Sequence, residues 1–152
     1  MKHLYWIIPA VLAGRTGPDE EPWNLEELSD GGIGCIVSLN DDPLDSSKVM
    51  ECGIVHETMH LPEGRIRSND MRRVFRRAAR GFVKLVDKQR AKGRAVVVHC
   101  LWGNDRTGIM LAAYLIARQG MSPEEAIRAI RRHRPDALRL PGYEETVQSL
   151  AR

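Results

Sequence analysis

Nowhere in the 152 residues do about 18 apolar positions run together, so no transmembrane helix is available. Cysteine is scarce: Cys35, Cys52 and Cys100 are too few, and odd in number, for a disulfide framework. That scarcity points to a reducing compartment, the cytoplasm. Aromatic residues make up only 5%, and none interleaves with the basic side of the stretch 71–92, so base stacking on single-stranded nucleic acid has no support. Repeats and low-complexity linkers are absent as well. What remains is a globular mix, 43% apolar and 28% charged, at the length of a single domain spanning 1–152.

The net charge of +3 hides a lopsided distribution. Residues 1–64 carry three basic and twelve acidic side chains, residues 65–94 twelve and two, and residues 95–152 eight and six. The chain as a whole is therefore no polycation seeking nucleic acid. Lys2 followed by the apolar run Leu4–Ala13 has the outline of a secretory signal, with Val11 and Ala13 at the small-residue positions. Pro9 interrupts that run, and two short strands, Tyr5–Ile8 and Ala10–Ala13, account for it equally well.

Downstream, Asn24 caps a short helix from Leu25 to about Asp30, and Gly34–Leu39 is an apolar, β-branched run expected as a buried strand. A turn at 40–43, a short helix Ser46–Cys52 and an alternating strand Ile54–Leu61 follow. Met71, Val74, Phe75, Ala78, Phe82, Leu85 and Val86 recur at helical spacing, with basic residues on the other side. Ala95–His99 is a second buried strand, and Gly108–Gln119 a helix apolar nearly all round. Ser122-Pro123-Glu124-Glu125 is a capping box opening a helix to about His133, and a last helix covers Tyr143 to Arg152. Strands alternating with helices predict an α/β domain with a mostly parallel central sheet.

Between the strand ending at His99 and the helix after Arg106 lies His99-Cys100-Leu101-Trp102-Gly103-Asn104-Asp105-Arg106-Thr107. A loop of this kind aims backbone N–H groups at one point, with the helix dipole behind them, and so makes an anion site from Leu101, Trp102, Gly103, Asn104, Asp105 and Arg106. Gly103 permits the tight backbone, and Arg106 can fork two N–H bonds onto an oxyanion. Cys100, set in that cradle, is favoured as a thiolate. A thiolate beneath an oxyanion cradle suits attack on phosphorus.

H-C-x-x-G-x-x-R-T resembles the signature loop of the cysteine-dependent protein tyrosine phosphatases, and the short chain and element order resemble their compact dual-specificity branch. The likeness extends to the strand pair at Trp6–Gly14, to Leu61-Pro62 and to Arg134-Pro135. It implies the cysteine phosphatase fold and a cofactor-free, metal-free reaction on a phosphorylated protein or small phosphomonoester, phosphotyrosine first and phosphoserine or phosphothreonine second. Cys100 would take the phosphoryl group and Arg106 stabilise the transferring oxygens. Thr107 would hydrogen-bond the departing thiolate, and His99 would orient the loop. The general acid is open between Glu63, which follows Pro62 where relatives carry an aspartate, and Asp105, whose D-R-T context is similar to myotubularin and inositide phosphatases. Asp70 or water is the remaining choice. The other functional readings are phosphoinositide hydrolysis, RNA 5′-phosphate chemistry and a phosphate-binding module without turnover. Nucleic acid and membrane insertion are not favoured.

Other signals have plainer explanations. His56-Glu57-Thr58-Met59-His60 matches the zinc-protease pattern H-E-x-x-H, but on a strand its histidines stand about 13 Å apart, beyond one ion's reach. The basic face of 71–92 is expected to be solvated, with an anionic partner as the alternative. Arg65 and Arg67 are expected at the pocket rim, and Trp102 as a pocket wall that could also cover an aryl ring. Arg128, Arg131, Arg132 and Arg134 are candidates for a second anionic group, Arg139 has no assigned role, and Cys35 or Cys52 could form a protective disulfide with Cys100.

Overall fold

The computed structural model describes every residue except Asp42, Pro43 and Arg152. The turn expected at 40–43 therefore lies partly outside the described residues. Among the described residues, five strands, Leu4–Ile8 (β1), Leu12–Arg15 (β2), Ile33–Ser38 (β3), Val55–Thr58 (β4) and Ala95–His99 (β5), form one sheet in the spatial order β1-β2-β5-β3-β4. β1 and β2 are antiparallel, and every other pairing is parallel. The expected α/β sheet is thus observed, and the segment with a signal-like outline is its antiparallel edge.

The helices are α1 (Leu25–Asp30), α2 (Ser46–Glu51), α3 (Asn69–Ala91), α4 (Arg106–Gln119), α5 (Pro123–His133) and α6 (Tyr143–Ser149). The sheet separates two apolar clusters. Leu28 of α1 and Val49 of α2 join Ile36 and Val97 on one face, while α3 to α6 bury Phe75, Phe82, Ile109, Tyr114, Ile130 and Val147 against Val37, Val96 and Val98 on the other. Such two-faced cover explains why β3 and β5 read as unbroken apolar runs.

Two boundaries and one buried face differ from the sequence expectation in ways that matter. β4 stops at Thr58 because its partner β3 ends at Ser38. The chain then follows β3's exit, with the Leu61 amide donating to the Leu39 carbonyl at 2.9 Å, and turns toward the end of β5. α4 starts at Arg106, two residues earlier than its apolar pattern suggests, so the arginine occupies the first helical turn. On α3 the buried line runs through Phe75, Ala79, Phe82, Val83 and Val86, leaving Val74 48% exposed although the periodicity placed it in the core. The centre of the stripe falls one residue later, toward Ala79 and Val83.

β5 lies between β2 and β3, so its carboxyl end opens at the middle of the sheet. In parallel sheets that end is where ligands bind. Cys100 stands there.

Candidate active site

The loop after β5 is shaped from behind. The Leu101 carbonyl accepts from the Gly17 amide at 2.9 Å, and the Trp102 carbonyl from Thr16 Oγ1 at 3.0 Å and Arg134 Nη1 at 2.8 Å. The Gly103 carbonyl accepts from Tyr5 Oη at 2.7 Å. Three successive carbonyls are thereby drawn outward. In a trans peptide the N–H of the next residue points opposite to the carbonyl, so the amides of Trp102, Gly103 and Asn104 turn to the concave side. That is an anion-binding nest.

Gly103 is needed twice over. Its φ is +77°, and a Cβ there would sit 2.6 Å from the Arg15 carbonyl oxygen. Arg15 is itself buried, its guanidinium donating to the carbonyls of Lys2, Thr16, Glu21 and Pro22, which fixes the segment that backs the loop.

At the floor, Thr107 Oγ1 donates to Cys100 Sγ at 3.1 Å, with both residues buried. Arg106 is also buried, and its Nη1 lies 3.5 Å from the Leu61 carbonyl. Cys100, Leu101, Trp102, Asp105 and Arg106 line a cavity of about 100 Å³, closed on its other side by Glu63, Gly64, Leu140 and Tyr143. Tyr143, which sequence reasoning missed, donates to the Gly64 carbonyl at 2.7 Å and so positions the Glu63 loop. An adjoining cavity of about 310 Å³ shares Glu63, Leu101 and Arg106 and adds Asp19, Asn40, Asp41, His60 and Leu61.

Six of the residues singled out in the sequence therefore meet at one cavity: Cys100, Leu101, Trp102, Asp105, Arg106 and Glu63. Thr107 lies beneath it, while Gly103 and Asn104 supply backbone. Glu63 is exposed at the mouth. The Asp105 carboxyl lies among the amides of Leu138, Arg139 and Leu140, none of which closes to a full hydrogen bond with Oδ1. Among the described residues, Oδ1 is buried without a partner. Burial raises the Asp105 pKa, and those amides and the Arg106 charge offset it only in part.

His99 heads a relay of hydrogen bonds. Its Nδ1 lies 3.3 Å from the Cys100 carbonyl and its Nε2 2.6 Å from Ser38 Oγ. Ser38 Oγ also meets His56 Nε2 at 2.8 Å, and His56 Nδ1 meets Ser46 Oγ at 2.8 Å. Burial, first among the causes, lowers the His99 pKa to about 4 and also lowers that of His56, so both rings are neutral at pH 7. A carbonyl only accepts, which places the His99 proton on Nδ1. Every later donor is then assigned: Ser38 Oγ to His99, His56 Nε2 to Ser38, Ser46 Oγ to His56.

The remaining sequence expectations divide: those for Arg65, Arg67, Arg131 and Arg134 need correction, whereas the exposed basic face of α3 and the strand at His56 are as expected. Arg134 is not free for a second anion, since it is taken up by the carbonyls of His3 and Trp102 and by Thr16 and Asn104. Arg131 is bound to Glu144 and to the carbonyls of Ala137 and Leu138. Arg65 and Arg67 line neither cavity, and the exposed Arg73, Arg77, Arg80, Lys84 and Lys88 of α3 also lie outside both. Arg139 Nε donates to the Pro135 carbonyl. Cys35 pairs in register with Val96, four residues short of Cys100 along the neighbouring strand, about 13 Å and too far for a disulfide. Burial pushes the Cys35 thiol up to about 12, and Cys52 packs with the cluster on the other face of the sheet. His56 is on β4 and bonded to serines, whereas His60 pairs with Asp41 at 3.1 Å.

A central parallel strand followed at once by a cysteine, a loop with inward amides and an arginine opening the next helix together define a cysteine-based phosphate site. The dual specificity phosphatase catalytic domain model matches residues 32–150, and the chain belongs to that family. It is 32% identical over 111 residues, 73% of its length, to tyrosine-protein phosphatase cdcA of Emericella nidulans. Over 145 residues, 88% of its length, it is 27% identical to tyrosine-protein phosphatase cdc-14 of Caenorhabditis elegans. It spans only 18% and 19% of those two proteins. The crystal structure of Tk-PTP in the active form superposes with a TM-score of 0.82 at 22% identity, covering 99% of this chain and 97% of that one, and shows the shared fold.

Proposed function

We propose that the protein is a cysteine-dependent phosphatase of phosphorylated proteins, with phosphotyrosine the leading substrate and phosphoserine or phosphothreonine also accepted. The observation that carries this reading is the placing of Cys100 Sγ, hydrogen-bonded to Thr107 Oγ1, under a nest of amides with Arg106 beside it. In the first step the Cys100 thiolate attacks phosphorus. An S–P bond forms, the bond to the ester oxygen breaks, and that oxygen takes a proton from Glu63. In the second step water attacks phosphorus, its proton passes to the Glu63 carboxylate, and the thiolate leaves toward the Thr107 hydroxyl. Arg106 and the loop amides hold the three equatorial oxygens throughout.

Glu63 fits the acid role because it stands at the mouth, where the ester oxygen departs, whereas the Asp105 carboxylate is turned toward residues 138–140. The neighbouring cavity favours a single phosphoryl group. Asp19, Asp41 and Glu63 line it, so the further phosphates of a polyphosphoinositide or an RNA 5′-triphosphate would meet carboxylates. Free cysteines at 35, 52 and 100 suit a cytoplasmic enzyme.

Hydrolysis of a small aryl phosphate in excess chelator, with and without vanadate, tests the reading. Turnover that resists chelator, is blocked by vanadate and is lost in Cys100→Ser supports it. Tight phosphate binding without turnover makes the protein a binding module instead.

A further inference from the structure

Four large apolar side chains are exposed among the described residues, and two of them, Trp102 at 56% and Leu140 at 40%, line the same small cavity as Cys100 and Arg106. The other two, Met50 and Val74, belong to α2 and α3 and line neither cavity. Trp102 leaves its ring in solvent although its backbone is pinned from behind. Its carbonyl is clamped by Thr16 and Arg134, and the residue after it is packed on the Arg15 carbonyl.

Leu140 is framed in the same way. The Ile66 amide donates to the Pro141 carbonyl at 3.0 Å, and the Tyr143 amide lies 3.2 Å from the Leu140 carbonyl. Gly142 packs so closely on Ile66 that a Cβ would sit 2.3 Å from the Ile66 carbonyl oxygen. Two apolar side chains on fixed backbones thus flank the opening above a phosphoryl site. Keeping them wet is unfavourable, and fixing them in advance removes most of the ordering cost of covering them.

Resting on the reading of Cys100 and Arg106 as the phosphoryl site, we propose that Trp102 and Leu140 are specificity residues that grip the aromatic ring of an aryl phosphomonoester. With the phosphoryl group seated on the loop amides, its ester oxygen points out through this opening, and whatever carries it passes between the two side chains. A tyrosyl ring presents flat apolar faces to them. A seryl or threonyl carrier is too short to reach both before its polar backbone begins. The grip acts on binding, since both side chains meet the ring through apolar surface and bring no charge to the transition state.

Steady-state kinetics on paired phosphotyrosyl and phosphoseryl peptides of otherwise identical sequence, together with calorimetry of phenyl phosphate and inorganic phosphate on the wild type and on each variant, test this. Trp102→Ala should raise KM for the phosphotyrosyl peptide about tenfold and Leu140→Ala about threefold. In Leu140→Ala, kcat should stay within about twofold, with KM for phosphoserine and Kd for inorganic phosphate unchanged; in Trp102→Ala the rise in KM for phosphotyrosine should exceed any rise in KM for phosphoserine or in Kd for inorganic phosphate. Trp102→Phe should recover most of the loss. An equal rise in KM for both peptides together with weaker inorganic phosphate binding would show that Trp102 only shapes the loop, and no change for phosphotyrosine would show no contact; either overturns the grip. If the wild type hydrolyses neither peptide, the phosphatase reading fails first. The grip is then decided by whether Trp102→Ala narrows the phenyl phosphate to inorganic phosphate affinity ratio.

Discussion

Tyr5, at the edge of the sheet, donates its hydroxyl to the carbonyl of Gly103, 98 residues later, at 2.7 Å. The contact links the antiparallel strand pair to the phosphate loop, and through it β1 helps set the direction of the Asn104 amide. Burial holds the Tyr5 phenol well above its ordinary pKa, so it remains a donor across the neutral range. Tyr5→Phe removes the hydrogen bond and keeps the ring that stacks on His133 and lies under Arg134. Loss of one such bond is worth about 0.5–1.5 kcal/mol, so phosphate Kd and aryl phosphate kcat/KM should each worsen about 2–10-fold with the fold retained. Unchanged phosphate affinity by calorimetry would mean that the loop keeps its shape without Tyr5.

Gly103→Ala is a harsher test of the same loop. The new methyl would meet the Arg15 carbonyl at 2.6 Å on a backbone already at positive φ, and backbone cannot step aside as a side chain can. Activity should fall by at least about 10²-fold. Gly120→Ala is the comparison, since that glycine has φ +66° but open space around it. It should lose about 1 kcal/mol of stability and keep full activity. Equal behaviour of the two variants in activity would show that close approach at Gly103 is not what matters.

The neutral state of His99 makes stability depend on pH. Its folded pKa is about 4 against an unfolded value of 6.5, so between those values the unfolded chain binds the extra proton. Stability is then fully present above pH 6.5 and is lost as pH falls toward 4, by about 3 kcal/mol at most from this residue. His56, also lowered by burial, acts in the same direction. Thermal denaturation from pH 7.5 to 4.5 should show Tm falling below pH 6.5, with a shallower fall in His99→Gln despite a lower Tm at pH 7. Parallel curves for the two proteins would place the pH response elsewhere.

Much of the fold was legible because its signals are local. The run Ala95–His99 between Gly93 and Gly103 announced a central strand, and the box at Ser122–Glu125 announced α5 to the residue. Within the site, the gathering of Cys100, Gly103 and Arg106 at one anion pocket was readable from their spacing, and Thr107 beside Cys100 from the resemblance. Their supports did not. Tyr5, Thr16, Arg134 and Tyr143 act across separations that no window of sequence contains, and Arg134 was read as a spare cation because charge alone does not reveal that carbonyls surround it. Leu140 was invisible for a related reason: an exposed leucine means nothing until Cys100 is known to lie beside it.

The general acid is separated from a structural carboxylate by the shape of the pH–rate profile. Removing the true acid should slow esters with poor leaving groups, by about 10²–10⁴-fold for phosphotyrosine, while sparing an activated aryl phosphate, and it should flatten the alkaline limb. Glu63→Gln is expected to do this, because the exposed Glu63 carboxyl sits at the mouth where the ester oxygen leaves. Asp105→Asn is expected to lower the whole curve for both esters and keep the limb, because its carboxyl is packed among the amides of residues 138–140, where a change disturbs the backing of the phosphate loop. The raised pKa of Asp105 gives the opposite outcome a definite form. If Asp105 holds the working proton, Asp105→Asn flattens the limb and Glu63→Gln does not, and the buried, unpartnered Oδ1 is the atom that delivers it.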